Sequence, residues 1–173
     1  MYKEHKNFLT KEECIFIENT ITKNRLFPWY LSERQTHLDD LPFLYHSLKD
    51  SPEQGNLIRS LDLYIFFEKI LSRFCKKNKI KYKKILRACL NFTFKLNVKH
   101  CPPHQDHNYK HRQILIYLND CIEGETLIFK KDKKTIKAKI KPEKYKILFM
   151  EDEEHAVSYP AYDKRIICVL TFI

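Results

Sequence analysis

The sequence predicts an α+β domain dominated by its β half, with helices at the front and a double sheet behind. Three observations carry this. Apolar residues recur at helical intervals in two stretches before residue 85. From there the pattern switches to period two, and Leu90, Phe92, Phe94, Leu96 and Val98 alternate with Asn91, Thr93, Lys95 and Asn97. Several short strand-like runs with turn signals between them then follow, which indicates a sandwich or barrel. The chain has 173 residues, the size of one domain, and its 12 Phe and 10 Tyr are enough to build a core. Residues 1–84 read as helical and loop support, and residues 85–173 as the β core, of a single domain.

The first helix spans residues 10–24. It opens on Thr10 and Glu13, the spacing of a capping box, and Cys14, Ile17 and Ile21 give it one apolar side. Phe8, two residues before the cap, is placed to pack back on it. Residues 25–55 read as irregular, with Pro28, Pro42 and Pro52. Their aromatics suggest a covering loop rather than a free linker. A longer helix follows over residues 56–77, with Ile58, Leu61, Ile65 and Leu71 as its apolar face. Beyond the long strand, further strands are expected at 113–119, 125–130, 135–141, 145–150 and 165–173. Asp132-Lys133 is a hairpin turn between two of them.

Composition excludes some chemistry. With only 2 Gly, no glycine-rich phosphate loop can be built, so Rossmann and P-loop nucleotide binding are excluded. The net charge of +10 suits an anionic partner such as nucleic acid, and equally a basic surface with no ligand at all. The six Cys include no Cys-x-x-Cys pair, the N-terminus has no signal-like apolar core, and no segment is apolar enough to span a membrane. These point to a reducing, cytoplasmic setting without disulfides or membrane contact.

The chemistry centres on His104-Gln105-Asp106, which follows Cys101-Pro102-Pro103. In extended chain, residues i and i+2 point to the same side, so this imidazole and carboxylate can grip one metal ion. A second His-x-Asp occurs at His37-Leu38-Asp39, inside the irregular stretch and ahead of the long strand, and reads as surface loop. The completing ligand falls to His155, the only His after His111. Taken alone, His155 fits equally a solvated residue trailing the acidic run at 151–154. Two His and one carboxylate leave three octahedral positions open, which suits non-haem Fe(II) and O₂. Ten residues on, Arg165 opens an apolar run. It needs an anion, which a dicarboxylic cosubstrate would supply, or else it snorkels at the sheet edge.

From roughly residue 91 onward, the sequence resembles the 2-oxoglutarate-dependent dioxygenases of the prolyl-4-hydroxylase type. The matching residues are His104-Gln105-Asp106, Ile116-Tyr117-Leu118-Asn119, Gly124-Glu125-Thr126, Leu148-Phe149, His155 and Arg165. The resemblance implies a double-stranded β-helix, or jelly roll, behind supporting helices. It implies Fe(II) on His104, Asp106 and His155, with 2-oxoglutarate and O₂ as cosubstrates and ascorbate as an optional reductant. Arg165 and Tyr117 would meet the far carboxylate of 2-oxoglutarate, and Thr126 would line its pocket. The implied activity is hydroxylation of a protein or peptide side chain, prolyl by family default, with succinate and CO₂ as coproducts. One departure is Glu123, where the family often has the first of two glycines. Phe27-Pro28-Trp29-Tyr30 with Pro42-Phe43 also resembles short viral and phage oxygenases.

Two other readings stand beside this one. A nucleic-acid-modifying oxygenase fits the charge, although such enzymes usually carry a second basic residue after the cosubstrate Arg, and residues 166–173 hold none. A non-enzymatic metal-binding or interaction module fits the crowding of His100, Cys101, His104, His107 and His111, whose spacings match no zinc motif.

Overall fold

The structure, a computed structural model, describes residues 1–33 and 41–173. His37-Leu38-Asp39 therefore lies outside the described residues. In chain order the elements are β1 (Tyr2–His5), α1 (Lys11–Ile17) with a π-helical extension (Glu18–Thr22), β2 (Tyr30–Ser32) and β3 (Phe43–Lys49). A short 3₁₀ turn (Pro52–Gln54) leads to α2 (Leu61–Lys77). Then come β4 (Ile85–Phe94), β5 (Arg112–Tyr117), β6 (Thr126–Phe129), β7 (Ile136–Ile140), β8 (Ile147–Glu151), β9 (His155–Val157) and β10 (Lys164–Phe172). Seven strands form one sheet in the order β1-β8-β5-β10-β4-β3-β2, and three form a smaller one, β7-β6-β9. Every pairing is antiparallel.

Alternation along each central strand sorts the large sheet into two faces. On β10, Ile166, Cys168, Leu170 and Phe172 join the helices in one core, with Ile17, Phe67, Leu71 and Phe74. The intervening Ile167 and Val169 pack with Leu115, Tyr117, Leu148 and Met150, and reach Ile128 and Ile140 of the small sheet. The helices thus cover one face, and the small sheet covers the other. Between the sheets lies the space where a buried site can be built.

The capping box is present. Thr10 Oγ1 accepts from the Glu13 amide at 3.3 Å, and Glu13 Oε2 accepts from the Thr10 amide at 2.8 Å. The same carboxylate takes two bonds from Arg73 of α2, at 2.6 and 2.7 Å, so the cap also ties the helices together. The Asp132 turn holds as well. The Asp132 carboxylate accepts from the Lys134 and Thr135 amides, and Lys133 adopts φ 56°.

Several expectations are corrected. The N-terminal half is not only helix and loop, because β1, β2 and β3 all join the large sheet. β1 is short and polar, and β3 follows directly on Pro42, which is tolerated at a strand's start but reads as loop. β4 runs from Ile85 to Phe94 and excludes Leu96 and Val98. The apolar face of α2 is also shifted. The helix starts at Leu61 rather than 56, so Ile58 lies before it, in a bridge to Lys49. Of the expected face only Leu71 is buried, with Leu63, Phe67, Ile70 and Phe74, whereas Leu61 and Ile65 are 58% and 38% exposed. Phe8 packs edge-on to Phe74 of α2 at 5.4 Å rather than only on its own helix. Phe74 also meets His5 and Phe149. Replacing Phe74 with Ala should destabilise the fold by about 3–5 kcal/mol. Ile65→Ala should cost no more than about 0.5 kcal/mol. Urea unfolding of the two variants measures both.

Candidate metal centre

His104 and Asp106 lie in the loop after β4, and His155 opens β9. A reciprocal backbone bridge joins the two segments. The His104 amide donates to the His155 carbonyl, and the His155 amide to the His104 carbonyl, both at 2.9 Å. The two imidazoles are thereby held with ring centres 4.8 Å apart. Asp106, two residues on, turns its carboxylate toward them, and ligand atoms of all three residues lie within 4.8 Å of one another. No other such group of His, Cys, Asp or Glu occurs among the described residues.

Each ring is oriented through its Nδ1. His104 Nδ1 lies 3.1 Å from the Pro102 carbonyl, and His155 Nδ1 lies 3.1 Å from the Glu153 carbonyl. A carbonyl only accepts, so each Nδ1 carries a hydrogen, and in the neutral ring Nε2 is left with its lone pair. His155 Nε2 stands 3.7 Å from Asp106 Oδ2, a buried oxygen with no hydrogen-bond partner. Two bare ring nitrogens and an orphaned carboxylate oxygen facing one point are what a divalent cation needs. Charge favours the same state. Burial would raise the Asp106 carboxyl, but Arg87, then His155 and His104, outweigh it and hold it down at about 2. Burial, reinforced by His104, depresses His155 to about 4 against the pull of Asp106, so it is neutral at pH 7.

The remaining sequence candidates form a second group. Arg165, at the start of β10, is 3% exposed. Its Nη2 donates to Thr126 Oγ1 at 2.8 Å, its guanidinium lies 5.4 Å from the Tyr117 ring centre, and its buried Nε has no partner. Tyr117 Oη is 2.6 Å from the same Thr126 hydroxyl. Burial raises the Tyr117 phenol further than Arg165 lowers it, so it stays protonated. No carboxylate pairs with Arg165 among the described residues. Beside it, Glu123 adopts φ 62° and Gly124 φ 75°. The left-handed turn thus survives the Gly-to-Glu departure at Glu123, while Gly124 is needed. A Cβ there would meet Cys121 Sγ at 2.9 Å and Arg165 Cδ at 3.3 Å.

One cavity is lined by His104, Asp106 and His155 together with Thr126 and Arg165, while Tyr117 is fully buried behind Thr126 and off the lining. Strand register separates the two groups along the cavity floor. Arg165 pairs with Thr93 at one end of β10, whereas Thr171, near the other end, lies between Arg87 and Gln113. A wider cleft of about 590 Å³ adjoins, walled by Tyr30, Tyr45, Asp50 and Arg59. The two spaces share Phe43, Arg87 and Asn91 as a neck.

No family model and no curated protein matches the sequence. Among solved structures, an oxidoreductase of the 2OG-Fe(II) oxygenase family from Burkholderia pseudomallei superposes with a TM-score of 0.75 at 13% identity, over 99% of this chain and 84% of that one. The fold is that of the 2-oxoglutarate oxygenases. A prolyl hydroxylase from Trichoplax adhaerens, in complex with a hypoxia-inducible-factor peptide fragment, gives a TM-score of 0.66 at 14% identity, over 99% of this chain and 83% of that one. A Pseudomonas putida prolyl-4-hydroxylase gives 0.62 at 10%, over 99% and 91%. The double-stranded β-helix is thus established, and its chemistry is argued from this chain's own residues.

Two residues of the site escaped sequence reasoning. Gln113 is 2% exposed, and its amide lies 3.4 Å from His155 Nδ1. It shares the period-two row of Leu115 and Tyr117, which was the available signal. Arg87 lies 3.5 Å from Asp106 and is a lone cation in an apolar run, the same signal that singled out Arg165. The crowded histidines do not gather on one point, although the His107 and His111 rings pack edge-on at 4.9 Å. His107 Nε2 bonds Thr171 Oγ1, His111 Nδ1 the Tyr109 carbonyl, and His100 Nδ1 the Cys101 carbonyl. Only His104 of that group joins the triad. All six Cys are free.

The depressed His155 has a consequence for the metal-free chain. Between about pH 6.5 and 4 the unfolded chain binds a proton at this position that the folded chain does not, so stability falls as pH is lowered. The full effect is about 3 kcal/mol, present below pH 4 and absent above pH 7. Urea unfolding of wild type and His155→Gln across that window should show the pH dependence shrink in the variant.

Proposed function

We propose that this chain is an Fe(II)- and 2-oxoglutarate-dependent dioxygenase that hydroxylates a side chain of a protein or peptide, prolyl in the first instance. One observation carries the reading. A single cavity contains both a cation-shaped gap, at Asp106 Oδ2 and the two imidazoles, and a buried guanidinium, Arg165, with no carboxylate partner among the described residues. A dicarboxylic acid that also chelates a metal answers both needs at once.

His104, Asp106 and His155 would hold the iron. When bound, it supplies O₂-dependent oxidation of a C–H bond, coupled to conversion of 2-oxoglutarate to succinate and CO₂. Arg165 binds the distal carboxylate of the cosubstrate, and its unused Nε hydrogen is available for that contact. Thr126 holds the guanidinium in place. Tyr117, kept protonated, offers a hydroxyl donor beside it. The burial of the Arg165 side chain strengthens the ion pair. The substrate reaches the metal through the neck at Phe43, Arg87 and Asn91, from the aromatic-walled cleft. A peptide in that cleft is supported by the Trichoplax neighbour, whose structure is a complex with a peptide fragment.

Incubation with Fe(II), ascorbate and 2-oxoglutarate tests the reading, with succinate as the measured product. Proline-containing peptides should stimulate turnover, and oligonucleotides should not. His104→Ala should abolish turnover. Arg165→Ala should raise the KM for 2-oxoglutarate about 10- to 100-fold, the worth of one charge-assisted contact. Iron-loaded protein that neither binds nor consumes 2-oxoglutarate sinks the proposal. Gly124→Ala should weaken 2-oxoglutarate binding without weakening metal binding, because the added methyl displaces Arg165. Calorimetric titration with each ligand separates the two effects.

A further inference from the structure

We propose that Arg87 is a positioning residue that restricts Asp106 to coordination through one oxygen. The inference rests on the metal reading above and deepens it. Arg87 stands on the cavity side of β4, paired with Thr171. Its Nη1 lies 3.5 Å from Asp106 Oδ1, and its Nη2 donates to Cys89 Sγ at 3.2 Å. The other oxygen, Oδ2, is buried, has no hydrogen-bond partner and faces His155 Nε2 at 3.7 Å.

The two carboxylate oxygens are therefore inequivalent before any metal arrives. Oδ1 is engaged by a guanidinium, and Oδ2 faces only the imidazoles. A cation entering between the rings meets Oδ2 directly. It would gain Oδ1 only by drawing the carboxylate off Arg87, a half-buried cation on the cavity wall that would lose its anion. Such a separation is unfavourable, so the carboxylate would hold a cation through Oδ2 alone. That choice has chemical weight. One oxygen and two imidazoles leave three adjacent octahedral positions, enough for a chelating 2-oxoacid and O₂. A two-oxygen carboxylate would leave only two, and O₂ would compete with the cosubstrate. An Arg suits this role better than a Lys, because its planar fork can hold Asp106 and Cys89 from separate nitrogens.

The experiment counts water on the metal rather than activity. The full-length protein is loaded with Mn(II) without cosubstrate, and bound waters are counted by electron spin echo modulation in D₂O. Affinity is measured separately by Co(II) titration. Wild type should carry three waters, and Arg87→Gln two. Arg87→Gln should also bind Co(II) about 10- to 100-fold more weakly, the usual effect of losing a partner behind a ligand. Arg87→Lys, which keeps the charge, should retain three waters, and the strand signal in circular dichroism checks that both variants fold. Three waters in Arg87→Gln overturn the proposal, whether or not affinity falls, because Arg87 would then act only through charge balance. Wild type that binds neither Mn(II) nor Co(II) is a different failure. It overturns the metal reading itself.

Discussion

The backbone bridge between His104 and His155 is the constraint on which the rest of the site depends. Two reciprocal 2.9 Å hydrogen bonds join the loop after β4 to the first residue of β9. The loop comes from the large sheet, and β9 is an edge of the small one. The bridge therefore fixes the two sheets against each other at the point where the imidazoles converge. Side chains held by a paired backbone lose little further entropy on binding a cation, which is what preorganisation means physically.

Around the bridge, burial and charge work together. Asp106 is buried beside Arg87, and the desolvation that penalises one ion is offset by the other. His155 is buried and neutral, which suits a lone-pair donor. Arg165 is buried with a hydroxyl but no carboxylate. Asp106 Oδ1 is balanced by Arg87, but Oδ2 has no hydrogen-bond partner, and neither has Arg165 Nε. The site therefore leaves an acceptor at one end open to a cation and a donor at the other open to an anion.

Much of this was legible in the sequence, for identifiable reasons. Period two located the strands of the β core because their alternate residues face different cores. Thr10 and Glu13 marked the first helix because a capping box is local chemistry. The triad was legible because His104 sits among strands and is followed by Tyr117, His155 and Arg165 in order. What failed was non-local. β1 and β3 owe their extended form to β8 and β4, far along the chain. The apolar face of α2 was misplaced because Leu61 and Ile65 are as hydrophobic as the residues that are buried, and only the docking of the helix decides between them. Arg87 was missed because its partner, Asp106, is distant in sequence and near only across the sheet.

The unpaired guanidinium of Arg165 also bears on how the molecule persists. A cation that stays buried without an anion lowers the stability of the empty fold, and the pocket that could relieve it exists only in the native state. Any dianion that fills the pocket shifts the folding equilibrium by mass action, by about 2.7 kcal/mol at one hundred times its dissociation constant. Were the proposed cosubstrate to fill that pocket, resistance to proteolysis would be thermodynamically linked to its supply through one side chain.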